Sequence, residues 1–217
     1  MYNTSMTSSE TAEAIIPALT EQVDRRKSLL QAAFDVIASS GFEGLRTRAV
    51  AERAGVNIAT LHYYFPTKQA LIEGLAQFLS GIFASLHAPS RSKTGRVALD
   101  HLRQEFTDAQ FYHERHPELG VVLQELALRA NRDAAVQHAM NGLMVSWRSW
   151  IETIVQTGIA EGTFRQDLNP RETIPMLMAV FAGDSQVGIE ELENIQRGVE
   201  DWLLAPEVKE ELKGVKP

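Results

Sequence analysis

Two short helical segments on either side of a glycine constrain this chain more than any other feature of its sequence. Thr47 is a residue type that caps helices, and it begins a predicted helix that runs to Ala54. Asn57 is a second predicted N-cap, for a helix that runs to Phe65. Gly55 lies in the turn between them, where a residue that tolerates positive φ is needed. The pattern predicts a helix-turn-helix, whose second helix enters a major groove by its N-terminal end.

The rest of the sequence also has the period of α-helices. Apolar residues recur at spacings of three and four, and no alternating β-branched run lies between turn signals. We therefore predict an all-α fold of about nine helices, with a three-helix N-terminal helix-turn-helix head joined to a larger C-terminal helical domain. The predicted helices span residues 24–40, 47–54, 57–65, 68–86, 96–115, 117–130, 133–161, 169–186 and 190–204.

Composition and turn signals divide the chain into five parts. Residues 1–20 are rich in Ser and Thr and are predicted to form a disordered leader, and residues 21–86 form the predicted DNA-binding domain. The polar stretch HAPSRSKTG at 87–95 is the predicted linker. Residues 96–205 form the helical C-terminal domain, and the charged residues 206–217 form a flexible tail.

The distribution of charge permits a DNA-binding head although the whole chain has a net charge of −7. Residues 21–75 carry seven Lys and Arg against six Asp and Glu, so the acidic excess lies mostly in the C-terminal two thirds. The chain has no cysteine, which excludes disulfides and thiolate metal sites. It shows neither a signal peptide nor an apolar stretch of the roughly 18 residues that a membrane span needs, so we expect a cytoplasmic protein without membrane partners.

The head resembles the tetracycline-repressor (TetR) family over about fifty residues. The residues that carry the resemblance are Arg26-x-x-Leu29-Leu30-x-Ala32-Ala33, Gly41-Phe42, Thr47, Val50-Ala51-Glu52-Arg53-Ala54-Gly55-Val56 and Thr60-Leu61-x-Tyr63-Tyr64-Phe65-Pro66-Thr67-Lys68-x-x-Leu71. A generic helix-turn-helix does not require the Tyr-Tyr-Phe-Pro-x-Lys exit. The stretch GIAEGTFRQDL at 158–168 is similar to the connection into the family's dimerisation helices.

The resemblance implies a set of DNA contacts. Thr47, Thr60 and Lys68 would contact phosphates, and residues 57–59 lie where the family reads bases. This sequence departs from the common pattern at three positions. Ile58 and Ala59 have no hydrogen-bonding groups and could read only DNA shape or a thymine methyl, and His62 replaces the usual Tyr. The complete predicted set is Arg26, Arg46, Thr47, Arg48, Asn57, Ile58, Ala59, Thr60, His62, Tyr63, Tyr64 and Lys68.

The resemblance also implies that the C-terminal domain binds a ligand and forms a homodimer. Two predicted helices carry single apolar stripes that would pair across a twofold axis. The stripe residues are Ile174, Leu177, Met178, Phe181, Leu192, Ile195, Val199 and Trp202. Bulky residues of the middle helices would line a pocket for a largely apolar inducer, although each residue taken singly is more typical of core packing. They are Phe106, Phe111, Leu123, Leu126, Met140, Met144 and Trp147.

We therefore predict a repressor that binds double-stranded operator DNA as a homodimer, at a palindromic site, and is released by a small-molecule inducer. The alternative is a TetR-like dimer that acts through a protein partner without specific DNA binding. Enzymatic activity is not expected, because the sequence lacks a Gly-rich phosphate loop, a Gly-x-Ser-x-Gly elbow and a His-Glu-x-x-His motif. His113 and His116 could share a helix face, but no further ligand has a suitable spacing, so neither a metal nor a cofactor is expected.

Overall fold

The computed structural model describes residues 8–86, 95–183 and 188–214, with side chains described outside 8–22, 84–86 and 189. These residues form ten α-helices and one 3-10 turn at Phe42–Gly44, and their only β pairing is an isolated bridge between Phe164 and Leu204. The all-α prediction is confirmed. The helices are α1 (Ser8–Ser40), α2 (Thr47–Arg53), α3 (Ile58–Tyr64), α4 (Lys68–Leu86), α5 (Val97–Arg115), α6 (Pro117–Ala130), α7 (Ala134–Ala160), α8 (Pro170–Gly183), α9 (Ile189–Leu203) and α10 (Pro206–Gly214).

The described chain forms two compact units. The head unit contains the described residues up to Phe78 together with Glu125–Ala139, and the C-terminal unit contains the other described residues. In the head, α1 contacts α2, and α2 contacts α3. Their shared core consists of Leu29, Leu30, Ala33, Phe34, Ile37, Val50, Leu61 and Phe65, all at most 5% exposed. The apolar face of α1 is therefore buried.

The head contains a segment that the sequence placed in the C-terminal domain. The backbone N–H of Phe42 donates to Oε2 of Glu125 at 2.8 Å, and Arg129 pairs with Glu43 at 3.1 Å. The Arg129 guanidinium also lies over the Phe42 ring, 5.1 Å from its centroid. These contacts join residues more than eighty positions apart in sequence, which helical periodicity cannot predict.

The N-terminal helix is longer than predicted. Helix α1 begins at Ser8, whereas the sequence indicated a disordered leader over residues 1–20 and a helix from about 24. Residues 10–21 contain three Ala and three Glu, which favour helix and outweigh the Ser/Thr content on which the prediction depended. The first seven residues of the predicted leader lie outside the described part, as do positions 87–94 of the predicted linker.

The C-terminal unit is built around an apolar core to which α5, α7, α8, α9 and α10 contribute. Phe106, Ile154 and Phe164 are among its buried residues. Asn169 begins α8 as predicted: its Oδ1 accepts from the backbone N–H of Arg171 at 3.1 Å, and its Nδ2 donates to Glu172 at 2.8 Å. None of the described helices combines the length and apolar character needed to cross a membrane.

The predicted flexible tail is helical over most of its length. Val208 of α10 is 4% exposed within the C-terminal core, and Lys209 pairs with Asp201 at 3.1 Å. The buried Val208 side chain and the Lys209–Asp201 ion pair attach α10 to the C-terminal unit. The prediction of a flexible tail is therefore wrong for residues 206–214. The prediction considered the charges of the segment but not Val208 and Leu212, which give it an apolar side.

Candidate nucleic-acid interface

The turn between α2 and α3 is held by a Schellman motif. Gly55 has a φ of +66°, which favours glycine, and its N–H donates to the carbonyl of Glu52 at 3.1 Å. The N–H of Val56 donates to the carbonyl of Ala51 at 2.9 Å. These bonds satisfy carbonyls at the end of α2 and redirect the chain within three residues. The role predicted for Gly55 is confirmed.

Asn57 caps α3, as predicted. Its Oδ1 accepts from the backbone N–H of Thr60 at 2.8 Å and from the Thr60 hydroxyl at 3.0 Å. The cap fixes the start of the helix directly after the turn. It also engages the side-chain oxygen of Asn57 and the hydroxyl proton of Thr60, two groups that the sequence had assigned to DNA.

Thr47 does not cap α2, so that prediction is wrong. The N-cap is Arg46, whose extended backbone (φ −110°, ψ 141°) precedes the helix and whose carbonyl accepts from the N–H of Val50 at 3.0 Å. No side-chain bond caps this helix. Thr47 is therefore the first helical residue, and its half-buried side chain does not serve as a cap.

Helix α3 has a buried side and an exposed side. Leu61 is fully buried, whereas Ile58 is 43% exposed and Tyr63 is 69% exposed. Ala59 and His62 are exposed as well. The exposed residues lie at spacings of one and four, so they share one face of the helix. This face carries four of the predicted DNA contacts on a short helix that is anchored through its opposite side.

The four cations predicted to contact DNA differ in exposure: three are exposed and one is half-buried. Arg46 and Arg48 are exposed and form no ion pair within the described ranges. Lys68 is exposed, with its Nζ 4.8 Å from the centroid of the Phe42 ring. Arg26 is half-buried, and its guanidinium lies 5.1 Å from the ring centroid of Phe65. The structure thus gives Arg26 a packing role that the sequence did not indicate.

Tyr63 and Tyr64 differ in their environments. Their rings meet edge to face at 5.1 Å, which holds the exposed ring of Tyr63 against the half-buried ring of Tyr64. Next to them, Pro66 leads to Thr67, whose Oγ1 accepts from the backbone N–H of Ala70 at 3.0 Å and caps α4. The Tyr-Tyr-Phe-Pro-x-Lys exit therefore connects α3 to α4 through a ring contact and a capped helix start.

The residues predicted to line a ligand pocket do not form one group. Phe106 and Trp147 both contact the ring of Phe181, at centroid distances of 4.9 and 6.5 Å. Phe111 is 43% exposed and borders an open groove of about 580 Å³ on the surface of α5, and Met144 is 36% exposed. The other three predicted residues are Leu123, which is half-buried, Met140, which is 8% exposed, and Leu126, which belongs to the head unit.

Two buried carboxylates in the C-terminal unit were missed by the sequence analysis. Glu105 and Asp108 are each 7% exposed. The indole N–H of Trp150 donates to Glu105 at 2.7 Å and that of Trp147 at 3.4 Å, while Nε2 of Gln104 donates to Asp108 at 2.6 Å. The available signal was the spacing of two acids three apart on the apolar side of a helix.

Tyr112 lies one turn beyond these carboxylates on α5. Burial raises the pKa of the Tyr112 hydroxyl far above its ordinary value, and the negative charges of Asp108 and Glu105 raise it further. Its oxygen is buried without a hydrogen-bond partner among the described residues. The three side chains form a buried polar strip within an aromatic region.

The predicted dimer stripe is largely covered within the chain itself. Helices α8 and α9 contact α5, and this packing buries the residues that the sequence assigned to a partner. Five of the eight are at most 8% exposed in the core of their own unit: Ile174, Leu177, Phe181, Leu192 and Val199. For these five the assignment is corrected. Met178, Ile195 and Trp202 are half-buried at the edge of the core.

One of the two histidines near the end of α5 contacts a carboxylate. Nδ1 of His116 lies 3.0 Å from Glu118, and the described part of the chain contains no group of three His, Cys, Asp or Glu residues arranged to hold a metal ion.

A turn fixed by a Schellman motif, a capped second helix and an exposed outer face define a helix-turn-helix DNA-binding protein. Two family models agree with this class. One, described as bacterial regulatory proteins of the tetR family, matches residues 29–75, and the other, described as the C-terminal region of YsiA-like protein, matches residues 90–187. The chain belongs to the TetR family. It is a DNA-binding transcriptional regulator, and its family and relatives are transcriptional regulators rather than enzymes.

The chain is also similar to individual members of the family and to solved structures. The chain is 30% identical to the HTH-type transcriptional repressor KstR of Rhodococcus jostii over 116 residues, which is 54% of this chain and about half (53%) of KstR. It is 28% identical to the nucleoid occlusion factor SlmA of Marinobacter nauticus over 155 residues, 70% of this chain and 75% of SlmA. A solved Rhodococcus sp. structure assigned to the TetR family superposes with a TM-score of 0.74 at 23% identity, covering 84% of this chain and 100% of that one.

Proposed function

We propose that this chain is a repressor that binds a palindromic operator as a homodimer and leaves it when a small molecule binds the C-terminal unit. The observation that carries the proposal is the exposed outer face of α3, held in place by its cap at Asn57. Helix-turn-helix proteins insert such a face into the major groove. The similarity to KstR, which is named a transcriptional repressor, supports repression rather than activation.

The proposed interface with DNA has a phosphate-binding part and a base-reading part. Arg46, Arg48 and Lys68 are exposed cations suited to phosphate oxygens, and the Tyr63 hydroxyl is suited to the same role. Ile58, with Ala59 and His62 beside it, would face base edges. Each phosphate neutralised on B-DNA steepens the salt dependence of log K by about 0.9, so binding would weaken steeply as salt rises.

A homodimer is proposed because one recognition helix cannot read both halves of a palindrome. Two copies of α3 must reach successive major grooves about 34–36 Å apart. The outer side of α8 offers a surface for twofold pairing: Met176 is 54% exposed, and Ala179 and Ala182 are exposed small residues on the same side. Trp202 of α9 is half-buried and could contribute at its edge.

A ligand site in the C-terminal unit is proposed near the aromatic residues Phe106 and Trp147. Aromatic walls suit a largely apolar small molecule, and buried polar groups such as Glu105 could orient it. A ligand that binds one arrangement of the dimer more tightly would shift the population toward a head spacing that does not match the operator.

The alternative function, through a protein partner, has one specific observation in its favour. SlmA, a relative that matches this chain over 155 residues, is named a nucleoid occlusion factor rather than a transcriptional regulator. Under this alternative the apolar residues Ile58 and Ala59 would contact protein instead of bases.

The test is a pulldown of genomic fragments with the purified full chain, followed by sequencing and by a salt titration on the most enriched duplex. We expect one palindromic motif and a steep loss of affinity with salt. The double variant Arg46→Ala, Arg48→Ala should reduce the slope of log K against log salt by about 1.8. Lys213→Ala, which removes an exposed cation on α10, is the matched control and should leave the slope unchanged. If no fragment is enriched even at low salt, the repressor proposal fails.

A further inference from the structure

Two hydrogen-bonding groups at the start of the recognition helix, the side-chain oxygen of Asn57 and the hydroxyl proton of Thr60, are engaged within the helix itself. Oδ1 of Asn57 accepts from both the backbone N–H and the hydroxyl of Thr60, at 2.8 and 3.0 Å. An Asn that reads adenine uses its oxygen and its NH₂ group together. Asn57 cannot make that bidentate pair without uncapping α3, so its cap withdraws it from this kind of base reading.

The side chains that remain beside Asn57 are apolar. Ile58 is 43% exposed and Ala59 is exposed, and neither can donate or accept a hydrogen bond. His62 is exposed on the same face one turn later. The leading part of the recognition surface therefore offers methyl and methylene groups, and a complementary DNA surface must be apolar there.

The major groove offers one apolar group, the C5-methyl of thymine. We propose that this chain recognises its operator mainly through thymine methyl groups that pack on Ile58 and Ala59. The inference rests on the proposed operator binding and names the feature of DNA that the recognition helix selects. It assigns specificity to two residues that cannot hydrogen-bond, in place of Asn57 and Thr60.

The size of the effect follows from burial of methyl groups. One buried methyl contributes about fourfold in affinity. A dimer that contacts two thymine methyls in each half-site would gain about 250-fold from four such contacts, if they add. Methyl contacts can thus select an operator, but only when several act together. Loss of any single one should weaken binding without abolishing it.

The experiment compares thymine with uracil, because an A·U pair keeps every hydrogen-bonding group of A·T and lacks only the methyl. The purified full chain selects duplexes from two pools with a randomised central segment, one made with thymine and one made fully with uracil. We expect a palindromic consensus with defined T positions from the first pool and no preference at those positions from the second.

A double-mutant cycle on the best duplex then tests whether the thymine methyl is sensed through the Ile58 side chain. For each T in a half-site, affinity is measured with T and with U, for the unmodified chain and for Ile58→Ala. Replacement by uracil at the contacted position should weaken the unmodified chain about fourfold and the variant less than twofold. Because Ile58 is exposed, the variant should keep its fold, which far-UV circular dichroism checks. Arg48→Ala is the control and should weaken T and U duplexes equally.

The outcomes separate this inference from the proposed function. If the thymine pool yields no enriched sequence, operator binding itself fails. If both pools yield the same consensus with equal affinity, operator binding stands and the methyl inference is overturned. A T preference that persists undiminished in Ile58→Ala and in Ala59→Gly would also overturn it, because the methyl would then be sensed elsewhere.

Discussion

Single residues determine how closely the helices of the C-terminal unit can pack. Gly158 lies near the end of α7, where a Cβ would overlap the ring of Phe164, a side chain that is fully buried. The absence of a side chain at this position lets the chain turn back at Gly162 and pack Phe164 against α7. The requirement is steric and local, and it is independent of the glycine's backbone freedom.

Gly158→Ala should therefore destabilise the chain. The added methyl must displace the Phe164 ring within a filled core, and overpacking of this kind costs about 1–3 kcal/mol. Gly142→Ala on the same helix is the matched control, because nothing lies within 4 Å of a Cβ there. That variant should be stabilised by up to about 1 kcal/mol through helix propensity. Urea unfolding of both variants is the measurement, and equal stabilities would contradict the steric account.

At the scale of elements, the 3-10 turn before α2 is held by the end of α6. Its contacts are polar: the N–H of Phe42 donates to Glu125, and Arg129 lies over the Phe42 ring while pairing with Glu43. A Cβ on Gly41 would approach the Glu125 carboxylate at 3.1 Å, so the turn and the carboxylate fit closely. Helix α6 thus supports the segment from which the helix-turn-helix begins.

Glu125→Ala should destabilise the head by about 1–3 kcal/mol, because the Phe42 N–H loses its acceptor in a partly buried place. Glu43→Ala removes an ion pair whose carboxylate is 87% exposed, and it should cost at most about 1 kcal/mol. Hydrogen exchange at the Phe42 amide reports the contact directly. An unchanged exchange rate in Glu125→Ala would show that this bond does not protect the turn.

Helices α5 and α9 are joined by a partly buried ion pair whose effect depends on pH. Burial alone would raise the pKa of Glu200, but hydrogen bonds from Arg103 and Gln196 outweigh it and hold the pKa below its usual value of 4.5. A carboxyl with a lowered pKa in the folded state contributes stability above its unfolded pKa, and that contribution is lost as the pH falls through the folded value.

Glu200→Gln should accordingly be less stable than the unmodified chain at pH 7, and the difference should shrink below pH 4.5. Urea unfolding at several pH values between about pH 7 and about pH 3, across the titration of a carboxyl group, provides the comparison. Asp167→Asn, which changes a carboxylate that is 75% exposed, serves as the exposed-carboxylate control. A difference that stays constant down to pH 3 would refute the role of the charged form.

At the scale of the whole molecule, the sequence predicted the helices and the head better than the surfaces of the C-terminal unit. Periodicity and caps such as Asn57 and Asn169 are local signals, and they located the helices. Burial of Glu105 and Val208 depends on which helices pack together, which local patterns do not contain. An apolar stripe shows that a helix face is covered, but not whether the covering element belongs to the same chain or to a partner.

Because five residues of the predicted stripe are covered within the chain, we expect the proposed dimer to use the exposed side of α8. Met176 is 54% exposed there, and Ala179 beside it is small enough to let a second helix approach closely. Met176→Glu should place a charge in this interface and convert the dimer to a monomer, measured by analytical ultracentrifugation. Affinity for a full palindrome should then fall to that of a half-site. Val145→Glu, at a residue 67% exposed on α7, is the matched control and should remain dimeric. A dimer that persists in Met176→Glu would exclude this side of α8 as the interface, because a buried unpaired carboxylate is strongly unfavourable.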